Sequence, residues 1–436
     1  MSTCRLLSIK SPQDWAPVAA WLEGRANPGD SVEEKVRAII ATVRGSGDAA
    51  LFDLTRRFDC PTLEGALRVS EPEITLAAAS VSSEDRDIIA QAADNIRTFH
   101  MAQREKSWFI TRDDGSILGQ QVNPVDRVGL YVPGGKGGET PLISSMLMNA
   151  IPAQVAGVPN IAVVTPPRAD GSISPYILAA AHLLDIHEVY KVGSAWAIAA
   201  LAYGTESIAP VDVVAGPGNI FVTTAKRLVQ GKVGIDMIAG PSEVLTLADK
   251  HANPVWIAAD LLSQAEHDML ASAICIPDSP TLAERIREEL ERQCALLPRA
   301  EIAGKALEDW SAVIVVPDME MGITIANLVA PEHLEICLND PWAVLPKIRH
   351  AGAIFMGHNS PEPVGDYFAG PNHVLPTLGT ARFSSALSVQ TFCKKTSIVA
   401  ASPAFMTNNA AAIARLARLE GLEAHARSVE CRSKNA

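Results

Sequence analysis

The stretch VDVVAGPGNIFV (Val211–Val222) decides the fold. Three of its first four residues, Val211, Val213 and Val214, are apolar and β-branched, as in a largely buried strand. Gly216-Pro217-Gly218-Asn219 then breaks the pattern, and a helical run starts near Ile220. Strand, glycine turn and helix in that order form half of a βαβ unit. The same texture recurs from Val128 onward. Ile161–Thr165, Val189–Val192, Val244–Ala248, Ala273–Pro277, Ala312–Val316, Leu334–Leu338 and Ala353–Met356 read as buried strands, with alanine-rich helical runs between them. Eight or more strands exceed one mononucleotide-binding half, so the expectation is two α/β units with parallel sheets. Gly240-Pro241 is the candidate crossing point between them.

Upstream, residues 1–105 read as mainly helical. Ser31 with Glu34 suggests a capping box ahead of an amphipathic run to Val43, and Ser82–His100 repeats the helical spacing. From Pro403 an alanine-rich helix leads into a charged tail. The expected division is therefore a helical region 1–105, a first α/β unit from 106–130 with 241–385, a second from 131–240, and a C-terminal tail 386–436. No internal repeat is evident in the sequence.

Composition narrows the function. The 436 residues are 48% hydrophobic and 20% charged, with a formal net charge of −12. Such a surface repels phosphate backbones, which argues against nucleic acid as a partner. The N-terminus lacks the apolar core of a secretory signal, and no apolar run approaches the ~18 residues needed to cross a bilayer. A cytoplasmic protein with no membrane partner is expected. The seven cysteines are widely spaced and include no CxxC pair, so neither a disulfide framework nor a thiolate zinc site is expected. Cys275 and Cys337 read as inert core residues.

Two glycine turns could hold a ligand. Gly134-Gly135-Lys136-Gly137-Gly138 is not a phosphate-binding P-loop, because no GK is followed by Ser or Thr. Gly216-Pro217-Gly218-Asn219 lacks the GxGxxG spacing, and a tight βα turn is its plainer reading. Chemistry concentrates in four other segments. Gln264 and His267 stand three apart and share a helix face. Glu332-His333 precedes a strand, a natural place for general acid–base groups. Asp366 and His373 frame a turn-rich loop, and Glu420 and His425 lie in the tail. Each segment alone is modest, since an isolated histidine is more often a core or surface group than a ligand. None has HExxH spacing.

Together the phrases DLLSQAEHD (Asp260–Asp268), APEHLEI (Ala330–Ile336), GDYFAGPNHVLPT (Gly365–Thr377) and EGLEAH (Glu420–His425) closely resemble the histidinol dehydrogenase family. The segments Gly129–Gly135, Gly216–Asn219 and Ile235–Glu243 share the resemblance, in order, from about residue 30 to the tail. It implies two Rossmann-like, incomplete doubly wound domains, a helical N-terminal region and a short helical tail. It implies a zinc ion on Gln264, His267, Asp366 and His425, the last reaching into the partner subunit of a homodimer. Glu332 and His333 match the family's catalytic pair. Ser242, His373 and Glu420 match substrate positions, with Gln264, His267, His333, Asp366 and His425 also facing the substrate, L-histidinol. Tyr131 and Asn219 match NAD positions. Trp196 stands where the family usually has glutamine, either to stack on the nucleotide or to fill its pocket. The loop at 134–143 is longer than the family form. The implied reaction is a two-step oxidation, alcohol to aldehyde to acid, with two NAD reduced and L-histidine formed. Histidine acts as base, glutamate activates water, and zinc orients the substrate. A related zinc and NAD dehydrogenase of another small polar alcohol, such as a sulfopropanediol, is the nearest alternative. A zinc hydrolase would leave the glycine turns without purpose, and a non-catalytic binder would leave Glu332-His333 without one.

Overall fold

The computed structural model describes residues 4–26, 30–134 and 141–433. Among these, strands β1 (Arg5–Ser8), β2 (Trp108–Thr111), β3 (Ile117–Pro124), β4 (Arg127–Tyr131), β5 (Asn160–Thr165), β6 (Glu188–Lys191) and β7 (Val213–Ala215) precede the midpoint of the chain. Strands β8 (Gly234–Ile235), β9 (Glu243–Ala248), β10 (Ser272–Pro277), β11 (Ala312–Val315), β12 (His333–Cys337), β13 (Ala353–Met356) and β14 (Cys393–Ala400) follow.

They build three sheets. The first is parallel, ordered β6-β5-β4-β7-β8. The second is also parallel, ordered β1-β11-β10-β9-β12-β13. A small antiparallel sheet, β14-β3-β2, is the third. With β1 set aside, both parallel sheets share one winding: the first strand of each is central, the next two lie on one side and the last two on the other. The chain passes from β8 to β9 through residues 236–242, which contain Gly240-Pro241. The expected pair of incomplete doubly wound sheets is therefore present.

Strand alternation fills two cores per sheet. In β5, Val163 packs into one core with Val128, Leu130 and the helix Ile143–Ala156. Its neighbours Ala162 and Val164 face the other core, with Trp196 and the helix Ser194–Tyr203. The N-terminal helices close these layers instead of standing apart. Asp30–Phe58 supplies Val36, Leu51 and Leu54 to the second core, and Ser83–Met101 supplies Ile89 and Ile96 to the first. The six-stranded sheet is covered likewise, with Cys275 and Cys337 on one face and Ile274 and Ile336 on the other.

Two boundary expectations are corrected. Residues 106–130 do not join 241–385: β2 and β3 pair with β14, and β4 is the central strand of the five-stranded sheet. Residues 1–105 are mainly helical as expected, and they also supply β1, which pairs in register with β11. The tail contains β14 before its helices Pro403–Leu419 and Glu423–Ser433, so it is tied to β3 through eight residue pairs, Cys393↔Pro124 to Ala400↔Ile117. The suggested cap at Ser31 falls inside the helix, which starts at Asp30. Residues 135–140 of the glycine loop lie outside the described residues.

Candidate active site

Winding places the chemistry at the amino edge of the six-stranded sheet. Glu332 immediately precedes β12, and Ser242 immediately precedes its neighbour β9. The helix Pro254–Ala265 follows β9 and returns antiparallel to it, so its last turn carries Gln264 and then His267 back to the same edge. The helix Glu362–Tyr367 does the same after β13.

Backbone groups of Glu243 pin the acid–base pair. Its N–H donates to Glu332 Oε2 at 2.9 Å, and its carbonyl accepts from His333 Nδ1 at 2.9 Å. A carbonyl only accepts, so the proton sits on Nδ1 and the lone pair of neutral His333 is on Nε2. Nε2 has no hydrogen-bond partner and lies 3.8 Å from Asp366 Oδ1. Glu332 Oε2 is 3.7 Å from His333 Nδ1. Gly352 backs the pair, since a Cβ there would meet the Glu332 carbonyl oxygen at 2.6 Å.

Burial sets the protonation states. It pushes His333 down to about 3, with His267 and His373 adding to the effect, so the ring is held neutral. It pushes Glu332 well above the usual carboxylate range, and the acids Glu243, Asp366 and Glu362 push it further. Asp366 is raised by burial, and a hydrogen bond from Glu362 pulls it back. His373 is lowered to about 4, mainly by burial. Its Nδ1–H donates to the Asp366 carbonyl at 3.1 Å, and its Nε2 faces Ser145 Oγ at 3.5 Å.

One atom each of His267, Glu362 and Asp366 lies within 4.8 Å of the others. Beside them Gln264 is fully buried, yet neither its amide oxygen nor its amide nitrogen has a partner. A buried amide in that state is costly unless something else satisfies it. Oxygen and nitrogen donors without thiolate suit a catalytic divalent ion, so the residues fit a bound zinc. Glu362 escaped the sequence reading; its signal was the four-residue spacing to Asp366 within one helical turn. Glu420 and His425 are not brought to this group within one chain. Both are exposed, at the junction and start of the last helix.

Behind Glu362 the acids continue inward. Glu335 accepts from Thr246 Oγ1 at 2.7 Å and from the Glu362 backbone N–H at 3.0 Å. Burial, then Asp260, raises the Glu335 carboxyl above its ordinary range. A raised carboxyl binds its proton more tightly in the folded state. Its contribution to stability is therefore full below the ordinary carboxylate pKa of ~4.3 and is lost as pH climbs through the raised value. Glu335→Gln keeps both hydrogen bonds, with the amide oxygen toward Glu362 and the amide nitrogen toward Thr246. Urea midpoints measured across neutral to alkaline pH should fall for the parent and stay flatter for the variant.

The nucleotide-side residues gather at the opposite kind of edge. The chain leaves β4 and β7, adjacent central strands, at their carboxyl ends, and doubly wound sheets bind ligands at such a switch point. Tyr131 ends β4. It is buried, and its hydroxyl accepts from the Ser194 N–H at 3.2 Å. Asn219 caps the helix Ile220–Val229, its Oδ1 accepting from Phe221 and Val222, which leaves the amide NH2 available to a ligand. Gly216 has φ of 120°, and a Cβ there would lie 2.1 Å from the Tyr131 carbonyl oxygen. The site thus fits a dinucleotide in topology and in close backbone approach.

Trp196 departs from the expectation of a nucleotide-stacking ring. It is 4% exposed, its Nε1–H donates to Thr55 Oγ1 at 3.1 Å, and Phe58 stacks on it at 5.6 Å between centroids. Its donor and one face are taken by the helix Asp30–Phe58, so it fills space. Trp196→Gln should lower stability by about 2 kcal/mol, below the 3–5 of a full Trp→Ala truncation. Denaturant unfolding checks this.

The sequence matches the family model described as histidinol dehydrogenase over residues 23–433. The chain belongs to the histidinol dehydrogenase family. Family membership makes it an oxidoreductase. It is 65% identical over 431 residues to the histidinol dehydrogenase of Nitratidesulfovibrio vulgaris, covering 99% of each chain. Its identity to the Bacillus subtilis histidinol dehydrogenase is 53% over 399 residues, covering 92% of each. The crystal structure of histidinol dehydrogenase from Elizabethkingia anophelis superposes with a TM-score of 0.93 at 38% identity, covering 100% of this chain and 99% of that one. Among the described residues no helix is long and apolar enough to cross a membrane.

Proposed function

We propose that this chain oxidises L-histidinol through L-histidinal to L-histidine at the amino edge of the six-stranded sheet. The observation that carries the reading is His333, a buried neutral imidazole whose Nδ1 is pinned by a carbonyl and whose Nε2 is unpartnered. Bound NAD would supply the hydride acceptor for both oxidations, and bound zinc a fixed positive centre that orients the substrate amine and ring. Gln264, His267 and Asp366 would hold the zinc, and Tyr131 and Asn219 would hold NAD.

The chain's own residues do the proton work. His333 Nε2 accepts the alcohol proton in the first oxidation. Glu332 accepts a proton from the water that adds to the aldehyde carbon, and burial suits it to hold that proton. His373 and Ser242 would bind the substrate, with His373 holding the carboxylate as it forms.

Glu420 and His425 would complete the partner's site in a homodimer. Leu416, Leu419 and Leu422 are all exposed beside them, and Trp108, Phe109 and Ile110 are exposed on β2. Apolar surface of that kind is what a second copy would cover.

Zinc-loaded protein with excess NAD should form two NADH per histidinol consumed, read by absorbance. Glu332→Gln should stop at one NADH and accumulate aldehyde. No histidinol-dependent NADH, or a parent ratio of one, would overturn the assignment and leave oxidation of another small polar alcohol as the reading to test.

A further inference from the structure

A second cavity lies against the far side of Glu243. It encloses about 460 Å³ between the N-terminal segment and the starts of β9 and β10, and its lining includes Arg25, Glu243, Leu22, Val329, Pro331 and Leu378. Arg25 is 7% exposed. Its Nη2 donates to Glu243 Oε1 at 2.7 Å, but its Nε and Nη1 are buried and have no hydrogen-bond acceptor among the described residues. A guanidinium carries five N–H donors, and leaving several of them dry inside a protein is expensive. Space to hold an acceptor adjoins them. The exposed Glu23 and Arg382 also line the cavity and offset each other in charge, as Glu243 offsets Arg25, so the spare guanidinium donors and not net charge decide which ligand is favoured.

Glu243 joins this cavity to the acid–base pair. Its side chain accepts from Arg25 and from the Leu378 N–H, while its backbone holds Glu332 Oε2 and His333 Nδ1. Pro331, on the cavity wall, is the residue before Glu332. A ligand that draws on Arg25 therefore acts on the one residue that positions both groups.

We propose that this cavity binds a small organic carboxylate with an apolar body, its oxygens accepting from the free donors of Arg25, and that its occupancy alters turnover through Glu243. Carboxylate is favoured because charge-assisted bonds to guanidinium are the strong ones, and Leu22, Val329 and Leu378 offer an apolar bed for the remainder. The binding half stands whatever the substrate; the turnover half rests on the histidinol reading.

Benzoate is the probe, titrated calorimetrically into zinc-loaded full-length protein. One site per chain is expected. Arg25→Lys keeps a cation for Glu243 but loses the planar fork of Nε and Nη1 donors that faces the cavity, and should weaken benzoate by about tenfold or more, equivalent to 1.4 kcal/mol. Ala19→Trp, which fills the cavity without touching the pair, should do the same while leaving the basal rate and Tm unchanged. Benzoate should change the parent's histidinol rate with the affinity seen by calorimetry and without competing with histidinol. No saturable binding at millimolar benzoate, or binding that survives both substitutions, would overturn the site. Binding with no change in rate, or competition with histidinol, would overturn the effector role.

Discussion

Replacing His333 with asparagine is expected to lower the rate of histidinol oxidation about a thousandfold while bound metal, counted by atomic absorption, stays at the parent level. General-base groups contribute about 10²–10⁴. The middle of that range applies because the geometry leaves little to substitute for this imidazole. Its ring is fixed by the Glu243 carbonyl, and Nε2 is the buried nitrogen that faces Asp366 with no other partner. Asparagine is too short to place an acceptor where Nε2 stands, and its amide oxygen is a far weaker base. His333 is not among the three donors that cluster near Gln264, so metal content separates loss of the base from collapse of the site. A fall of less than tenfold would place the base elsewhere.

How far these groups could be seen in the sequence depended on how local their causes are. The run Glu332-His333 and the spacing of Gln264 with His267 are local, and they point to chemistry before any coordinates. The buried strands were equally legible, because an apolar β-branched run between turn residues has one ready explanation. The shared winding of the two parallel sheets was not. It lies in strand order, which hydrophobic periodicity does not encode, and the two halves carry no matching phrases. Short edge elements escaped for a related reason. β1 is four residues, three exposed and one half-buried, and it becomes a strand only because β11 offers an open edge. β2, β3 and β14 carry exposed apolar side chains that read as neither alternation nor core. Trp196 misled because its neighbours in sequence are those of the nucleotide site, whereas its partners Thr55 and Phe58 come from a helix some 140 residues earlier. Glu332-His333 was legible as a pair just before a strand, and so at an amino edge, although doubly wound sheets ordinarily present ligands at their carboxyl edge. The candidate NAD residues of the five-stranded sheet sit at that usual edge, and the candidate acid–base pair of the six-stranded sheet does not.

The nucleotide turn leads to the second large effect. Lys226 and Asp236 form an ion pair with side chains 3% and 0% exposed. Lys226 Nζ also donates to the Gly216 carbonyl at 2.9 Å, and Asp236 Oδ2 accepts from the Gly216 N–H at 2.9 Å. Both polar groups of Gly216, the residue with φ of 120° that crosses closest to Tyr131, are thereby held by one charge each. Lys226→Met removes the cation and leaves Asp236 buried without it. Breaking one side of a buried pair destabilises by about 3–5 kcal/mol, so the urea midpoint should fall steeply. Pairing the change with Asp236→Leu removes the orphaned charge, and apolar replacement of a whole buried pair is often close to neutral. The double variant should therefore recover most of the stability. It should not recover nucleotide affinity, because Gly216 has then lost both anchors. The KM for NAD should be raised about tenfold, or 1.4 kcal/mol, in both variants. Stability and KM recovering together would show that the pair serves only the core; stability recovering alone would show that it holds the turn in its ligand-binding shape.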